Sequence, residues 1–226
     1  MIVVIGSPSL LPADPGGRPA AAGPAVDVAR GATDAGSSVQ LIGKIGDDPA
    51  GDALLLALAD AGIGHVAILR DPARATPVAQ PAADEFEPML PGDDDQGEAA
   101  SRRAVAEPRP GSLPTIDAGD LDLALRYLPD HQVVIVAERL DPEALAVVAA
   151  DCSYVGAALA IILEAGGPGS TDLPPEATAF EAPASDPDGV FGRTIGRFGA
   201  ALEQGLGGAA ALAQATTGGG WQPAAG

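Results

Sequence analysis

The chain is predicted to be an α/β protein, a three-layer αβα sandwich around a mostly parallel central sheet. Three observations carry this expectation. Short apolar runs recur at residues 2–5, 39–42, 65–69, 132–137 and 159–163, the pattern of strands buried on both faces. Between them lie segments with apolar residues at helical spacing, so the order reads strand, helix, strand, helix. The chain is 46% hydrophobic but only 3% aromatic, so Ala, Val, Leu and Ile must build the core. Its 226 residues suit one domain spanning 1–226.

The first strand, residues 2–5, ends at Gly6. Residues 7–24 are rich in Pro, Gly and Ala without alternation and read as a loop. A helix follows at 25–35, weakened by Gly31 and stopped at Gly36. Residues 35–52 then join a strand (Val39, Leu41, Ile42) to a glycine-punctuated turn, where Gly43 and Gly46 permit positive φ or close backbone approach, and to a helix start. Asp48 is placed to cap that helix, with Pro49 in its first turn and Gly62 as its stop. Residues 65–69 form a third strand.

From 71 to 114 apolar periodicity disappears, Pro recurs and acidic residues cluster at Asp93–Asp95, which predicts a long flexible insertion. The triple Asp does not make a calcium loop, because Glu98 stands where that loop needs glycine. Order resumes with a helix at 117–128, Leu121, Ala124, Leu125 and Leu128 sharing one face. A strand at 132–137 follows, then a helix capped by Asp141 with Pro142 behind it and Leu145, Val148, Ala149 and Cys152 inward. Strands at 159–163 and 178–181 come next. Phe191, Ile195, Phe198 and Leu202 give the helix after Pro187 a buried face. A short Ala-rich helix at 207–216 precedes a frayed tail at 217–226.

Twelve Lys and Arg against 31 Asp and Glu give a net charge of −19, a field that repels nucleic acid and anionic membrane surfaces. Cys152 is the only cysteine, so neither an intrachain disulfide nor a cysteine metal cluster forms. The start, MIVVIGSPSL, reads as a core strand rather than a signal peptide. The apolar run at 155–163 is too short to span a bilayer. The expected product is soluble and cytoplasmic. A homodimer is compatible with the chain, but nothing in the sequence supports one. Residues 36–44 lack P-loop glycine spacing, and Ile45 stands where Ser or Thr is required. His65 and His131 begin strands with no second ligand nearby, and Ser7 and Ser9 are not in a nucleophile-elbow pattern. No metal-ligand set is therefore assigned.

The run Gly43-Lys44-Ile45-Gly46-Asp47-Asp48-Pro49-Ala50-Gly51-Asp52 resembles the ribokinase-like, or PfkB, family of carbohydrate kinases. Ala22-Gly23-Pro24-Ala25-Val26-Asp27 falls where that family has a Gly-Gly turn followed by a sugar-contacting Asn. Leu69-Arg70-Asp71-Pro72 and Thr76 resemble its run from the third strand to a substrate-side Thr. The resemblance implies a ribokinase-like fold, and transfer of a phosphoryl group from ATP, with Mg²⁺, to a hydroxyl of a sugar or nucleoside. It implies substrate-binding roles for Gly23, Asp27 and Thr76.

The same resemblance places a Gly-Ala-Gly-Asp turn at a helix N-terminus, its N–H groups forming an anion hole and its Asp serving as base. Here that segment is Ser185-Asp186-Pro187-Asp188-Gly189-Val190-Phe191. Asp188 takes the base position if one residue is inserted before Phe191; an ungapped match puts Gly189 there. Pro187 lacks a backbone donor and Asp186 adds negative charge, so Asp186, Pro187 and Gly189 make a degenerate anion-hole region. Capping by Asp186 explains the segment structurally. Leu11 falls near the family's sugar-contacting acid, no Asn-x-x-Glu motif is present, and the lid is reduced or absent. Two readings follow: a carbohydrate-kinase relative with phosphoryl transfer weakened or lost, and a non-catalytic small-molecule binding or protein-interaction module on the same scaffold.

Overall fold

The structure is a computed structural model that describes residues 1–13, 16–79, 113–164 and 173–217. The acidic stretch at Asp93–Asp95 and the tail from 218 lie outside the described residues. Along the chain run β1 (Ile2–Ile5), β2 (Ser9–Leu11), β3 (Ala20–Ala22), α1 (Pro24–Asp34), β4 (Val39–Gly46), α2 (Pro49–Asp60) and β5 (Gly64–Asp71). The second half has α3 (Ala118–Arg126), β6 (Val133–Val136), α4 (Pro142–Val155), β7 (Ala158–Leu163), β8 (Thr178–Glu181), α5 (Val190–Glu203) and α6 (Gly208–Thr216).

Six strands form one sheet in the order β5-β4-β1-β6-β7-β8, and every neighbouring pair is parallel. Two apolar cores sandwich it. Ile2, Val4 and Leu41 look towards α1, α2, α5 and α6, meeting Val26, Leu54, Leu58 and Phe198. Val3, Ile5 and Ile42 look towards α3 and α4, meeting Leu121, Leu125 and Val148. Alternate residues of one strand therefore serve opposite layers, as a sheet covered on both faces requires.

Four expectations need correction. Residues 7–24 are not a plain loop: β2 and β3 pair antiparallel, and Leu10 bridges to Val78. This small second sheet is built from three-residue strands. Gly43 and Gly46 lie within β4 rather than in a turn. Neither has a positive φ; they are small because a Cβ on Gly43 would sit 2.6 Å from the Gly6 carbonyl oxygen and one on Gly46 2.5 Å from Thr76 N. Residues 71–79, part of the segment expected to be a flexible insertion, are placed, with Asp71 in β5 and Thr76 buried; residues 80–112 lie outside the described residues. Asp141 precedes α4 but its side chain makes no capping hydrogen bond. Gly31 proves to be a packing requirement, since its Cβ would lie 2.1 Å from the Arg193 carbonyl oxygen on α5.

Among the described residues no helix is long and apolar enough to cross a membrane.

Candidate functional site

The strand order reverses at β1, which has β4 on one side and β6 on the other. In such sheets the crevice beyond the carboxyl ends of the strands at the reversal is where ligands bind. The N-termini of α1 and α5 face this end, because each helix runs antiparallel to the strands it covers. Sequence-predicted residues Gly23, Asp27, Asp186, Pro187, Asp188 and Gly189 therefore converge here from two distant segments.

Gly23 is the N-cap of α1 with φ 110, a conformation that disfavours any side chain. Its carbonyl accepts from Val26 N and Asp27 N, and Pro24 fills the first helical position without losing a bond. Asp27, one turn in, lies against α5: a Cβ on Gly189 would be 2.5 Å from its carboxyl carbon, and one on Gly192 2.8 Å from its Cβ. Burial pushes the Asp27 carboxyl above the ordinary carboxylate value; Arg30 and Arg193 pull it back, and Asp186 adds to the rise. Its nearest cation, Arg193 Nη1, is 3.9 Å away, which is a loose pairing.

The N-terminus of α5 is occupied by the chain itself. Asp186 Oδ1 accepts from Phe191 N at 3.2 Å and Oδ2 accepts from Gly192 N at 3.1 Å. The Asp186 carbonyl accepts from Gly189 N at 3.0 Å, and Gly189 turns the chain with φ 63. Pro187 has no N–H to offer. These first-turn donors are the groups that would hold an incoming phosphate, and a carboxylate already holds them. The geometry does not fit a phosphate at this turn. Asp188 is exposed; its backbone carbonyl accepts from Arg193 Nη2, and its carboxylate has no partner among the described residues.

Thr76 belongs to a different network. Its hydroxyl donates to Asp48 Oδ1 at 2.7 Å and accepts from Gly46 N at 3.0 Å, while its own N–H donates to Asp48 Oδ2 at 2.9 Å. Asp48 also caps α2 through Gly51 N. Although partial burial works upward on Asp48, hydrogen bonds from Thr76, Gly51 and Ala50 hold its carboxyl below the ordinary value. This network clamps the end of β4 to α2 and to the 72–79 segment, and no hydrogen bond or ion pair links it to Asp27 or Asp186 among the described residues.

Sequence reasoning missed Glu138. It follows β6 at the strand-order reversal and accepts from Ser7 N at 2.9 Å and Ser7 Oγ at 3.1 Å. The readable signal is an acidic residue two positions beyond a fully buried four-residue strand. Among the described residues no group of three or more His, Cys, Asp or Glu is gathered to hold a metal ion.

No protein-family model and no curated protein matches the chain. Solved structures do match. The chain is similar to the protein Sa239 (TM-score 0.61, 13% identity, covering 96% of this chain and 91% of that one). It is also similar to a PfkB protein from Polaromonas sp. JS666 (TM-score 0.60, 15% identity, 96% and 94% covered). A third similar structure, assigned as ribokinase II from E. coli and solved with ATP and Mg²⁺, gives TM-score 0.59 at 14% identity, with 96% and 91% covered. The fold is thus ribokinase-like, with the parallel six-stranded sheet and flanking helices that the sequence predicted.

Proposed function

We propose that this ribokinase-like chain is a carbohydrate-kinase relative in which phosphoryl transfer is weakened or lost, leaving a binding site for a small polyhydroxylated molecule such as a sugar or nucleoside. One observation carries the reading: the Asp186 carboxylate occupies Phe191 N and Gly192 N. A transferring phosphoryl group needs preorganised donors for its developing charge. At this turn the donors are satisfied and a negative charge stands where the phosphate would arrive. The reduced lid, two strands of three residues each, also gives little means of excluding water.

The groups that favour binding are Gly23, Asp27 and Glu138, gathered at the strand-order reversal. Ionised carboxylates accept hydrogen bonds from sugar hydroxyls, and such charge-assisted bonds are stronger than neutral ones. Thr76 serves the scaffold of this site by fixing the end of β4. The exposed Asp188 carboxylate favours a second reading, residual sugar phosphorylation with Asp188 as the general base.

ATP-dependent phosphorylation over a panel of sugars and nucleosides, run on wild type and Asp188→Asn, tests the proposal. Neither protein is expected to turn over above the enzyme-free blank, while a cognate sugar raises the melting temperature of both by mass action. Wild-type turnover that Asp188→Asn abolishes would overturn it in favour of the kinase reading. Absence of both turnover and stabilisation would point to protein interaction instead.

A further inference from the structure

The nucleotide that a ribokinase-like fold implies does not fit the N-terminus of α5, because the chain supplies an anion of its own there. The N-cap of this helix is Gly189, and no side-chain capping hydrogen bond is made from that position. Capping passes instead to Asp186, three residues earlier. An ordinary cap satisfies one N–H with one oxygen. Here the two carboxylate oxygens divide between successive donors, Oδ1 accepting from Phe191 N at 3.2 Å and Oδ2 from Gly192 N at 3.1 Å. A phosphate docking on a helix N-terminus takes up first-turn N–H groups in the same way. Asp186 therefore presents a negative charge and two oxygens in the place and pattern of that ligand.

The local backbone holds the carboxylate there. The Asp186 carbonyl accepts from Gly189 N at 3.0 Å, which closes a short turn just before the helix. That turn needs glycine at 189, where φ is 63 and a Cβ would lie 2.5 Å from the Asp27 carboxyl carbon. Asp186 is half-buried while Ser185, Pro187 and Asp188 are exposed, so the carboxylate turns inward from a stretch that otherwise faces solvent. Arg193 Nη2 donates to the Asp188 carbonyl, which keeps a guanidinium beside the same turn.

We propose that Asp186 is an internal phosphate mimic and the residue that sets specificity at this crevice, excluding the phosphates of a nucleotide so that nucleotide binding, not proton removal by Asp188, is the step lost. The inference rests on the reading of the crevice as a sugar site with phosphoryl transfer weakened or lost. Its chemistry is competition. A tethered carboxylate acts as though present at millimolar concentration or above, and an incoming phosphate must displace it and tolerate Asp27 on the neighbouring helix. With the carboxylate removed, Phe191 N and Gly192 N become free donors at the positive end of α5, with Arg193 adding charge close by.

Titration of inorganic phosphate into the full chain tests this, with sodium chloride at equal ionic strength as the blank. Amide nitrogen–proton spectra follow Phe191 and Gly192, and the melting temperature is read alongside. Wild type is expected to show no saturable shift of either amide. In Asp186→Ala both are expected to move on one isotherm, at least about tenfold tighter than any wild-type response, and phosphate should raise the melting temperature by mass action. Asp186→Asn loses the charge but keeps one oxygen to accept from an N–H, so it is expected to fall between them. It carries the test alone should Asp186→Ala not fold. Wild type binding phosphate as tightly as the variants would overturn the proposal, and so would variants that bind none. Sugar-induced stabilisation of wild type is a separate measurement with a neutral ligand; its absence would count against the sugar-site reading and leave the phosphate comparison standing.

Discussion

Replacing Gly196 by Ala tests how tightly α1 and α5, which bring Asp27 and Asp186 together, must pack. A Cβ at Gly196 would lie 2.0 Å from the Val28 carbonyl oxygen and 2.6 Å from Ala32 N, both backbone atoms of α1. Ordinary contact begins near 3.4 Å, so the helices must part by about 1.4 Å. Neither can retreat freely: Val26, Val28, Ala29 and Ala32 of α1 are fully buried, as are Ile195, Phe198 and Ala200 of α5 within 2%. Overpacking of this kind costs about 1–3 kcal/mol and sometimes more, and a clash with backbone belongs at the top of that range. Ala gains about 1 kcal/mol over Gly in helix propensity, leaving a net loss of about 2 kcal/mol. For a chain of this length that lowers the melting temperature by about 4–8 °C. Gly208→Ala is the control, because nothing lies within 4 Å of its added Cβ; its melting temperature should match or slightly exceed wild type. The reasoning is refuted if Gly196→Ala melts at or above the wild-type temperature in calorimetry.

Two further perturbations probe the carboxylates. Asp48→Ala removes the α2 cap and the carboxylate that accepts from both the hydroxyl and the N–H of Thr76; a lost cap of about 1 kcal/mol and an unmet Thr76 N–H of about 1–3 kcal/mol predict a loss of about 2–4 kcal/mol in urea unfolding. The folded Asp48 carboxyl is held below 3.8, so its contribution is present above that pH and disappears as pH falls through the folded value, which acid titration of the wild-type minus Asp48→Ala difference will read. Asp27 is shifted the other way, above 3.8 and chiefly by burial. Its ionised form therefore opposes folding, and Asp27→Asn is expected to raise the melting temperature at pH 7, by an amount that shrinks towards pH 4 as wild-type Asp27 takes up its proton. A lower melting temperature at pH 7 would show that the loose Arg193 pairing outweighs desolvation.

The main sheet was legible because its strands are apolar runs and its helices carry an apolar stripe, two periods that local sequence states directly. The second sheet was not. Ala20–Ala22 are three identical residues and Ser9–Leu11 barely alternates, so neither has the length or pattern of a strand, and only pairing with each other and the Leu10–Val78 bridge defines them. Gly43 and Gly46 were expected in a turn, with positive φ or close backbone approach, and only the turn was wrong. Glycine marks both turns and places where backbone passes close by, and within β4 the second cause holds. At the candidate site, Asp27 and the 186–189 segment could each be singled out from sequence. Their meeting depends on Gly31, Gly192 and Gly196 letting α1 and α5 touch, a pairing of elements more than 150 positions apart that no local pattern encodes.

That meeting also sets what the site can attract. Two helix N-termini at one crevice offer partial positive charge and free N–H groups, an arrangement suited to anions. In this chain each positive end already has an acidic residue beside it. Asp186 hydrogen-bonds the first turn of α5, and Asp27 sits in the first turn of α1 and pushes against Asp186. The Arg193 guanidinium, which lies near Asp27, is engaged by the Asp188 carbonyl. The overall charge of −19 adds long-range repulsion of a nucleotide triphosphate on top of this local occupation. A neutral polyol meets neither obstacle, since it brings no charge and can donate hydroxyl hydrogens to carboxylates. The electrostatics thus favour the sugar half of the implied reaction over the phosphate half, and this asymmetry supports weakened transfer with retained binding over an intact kinase.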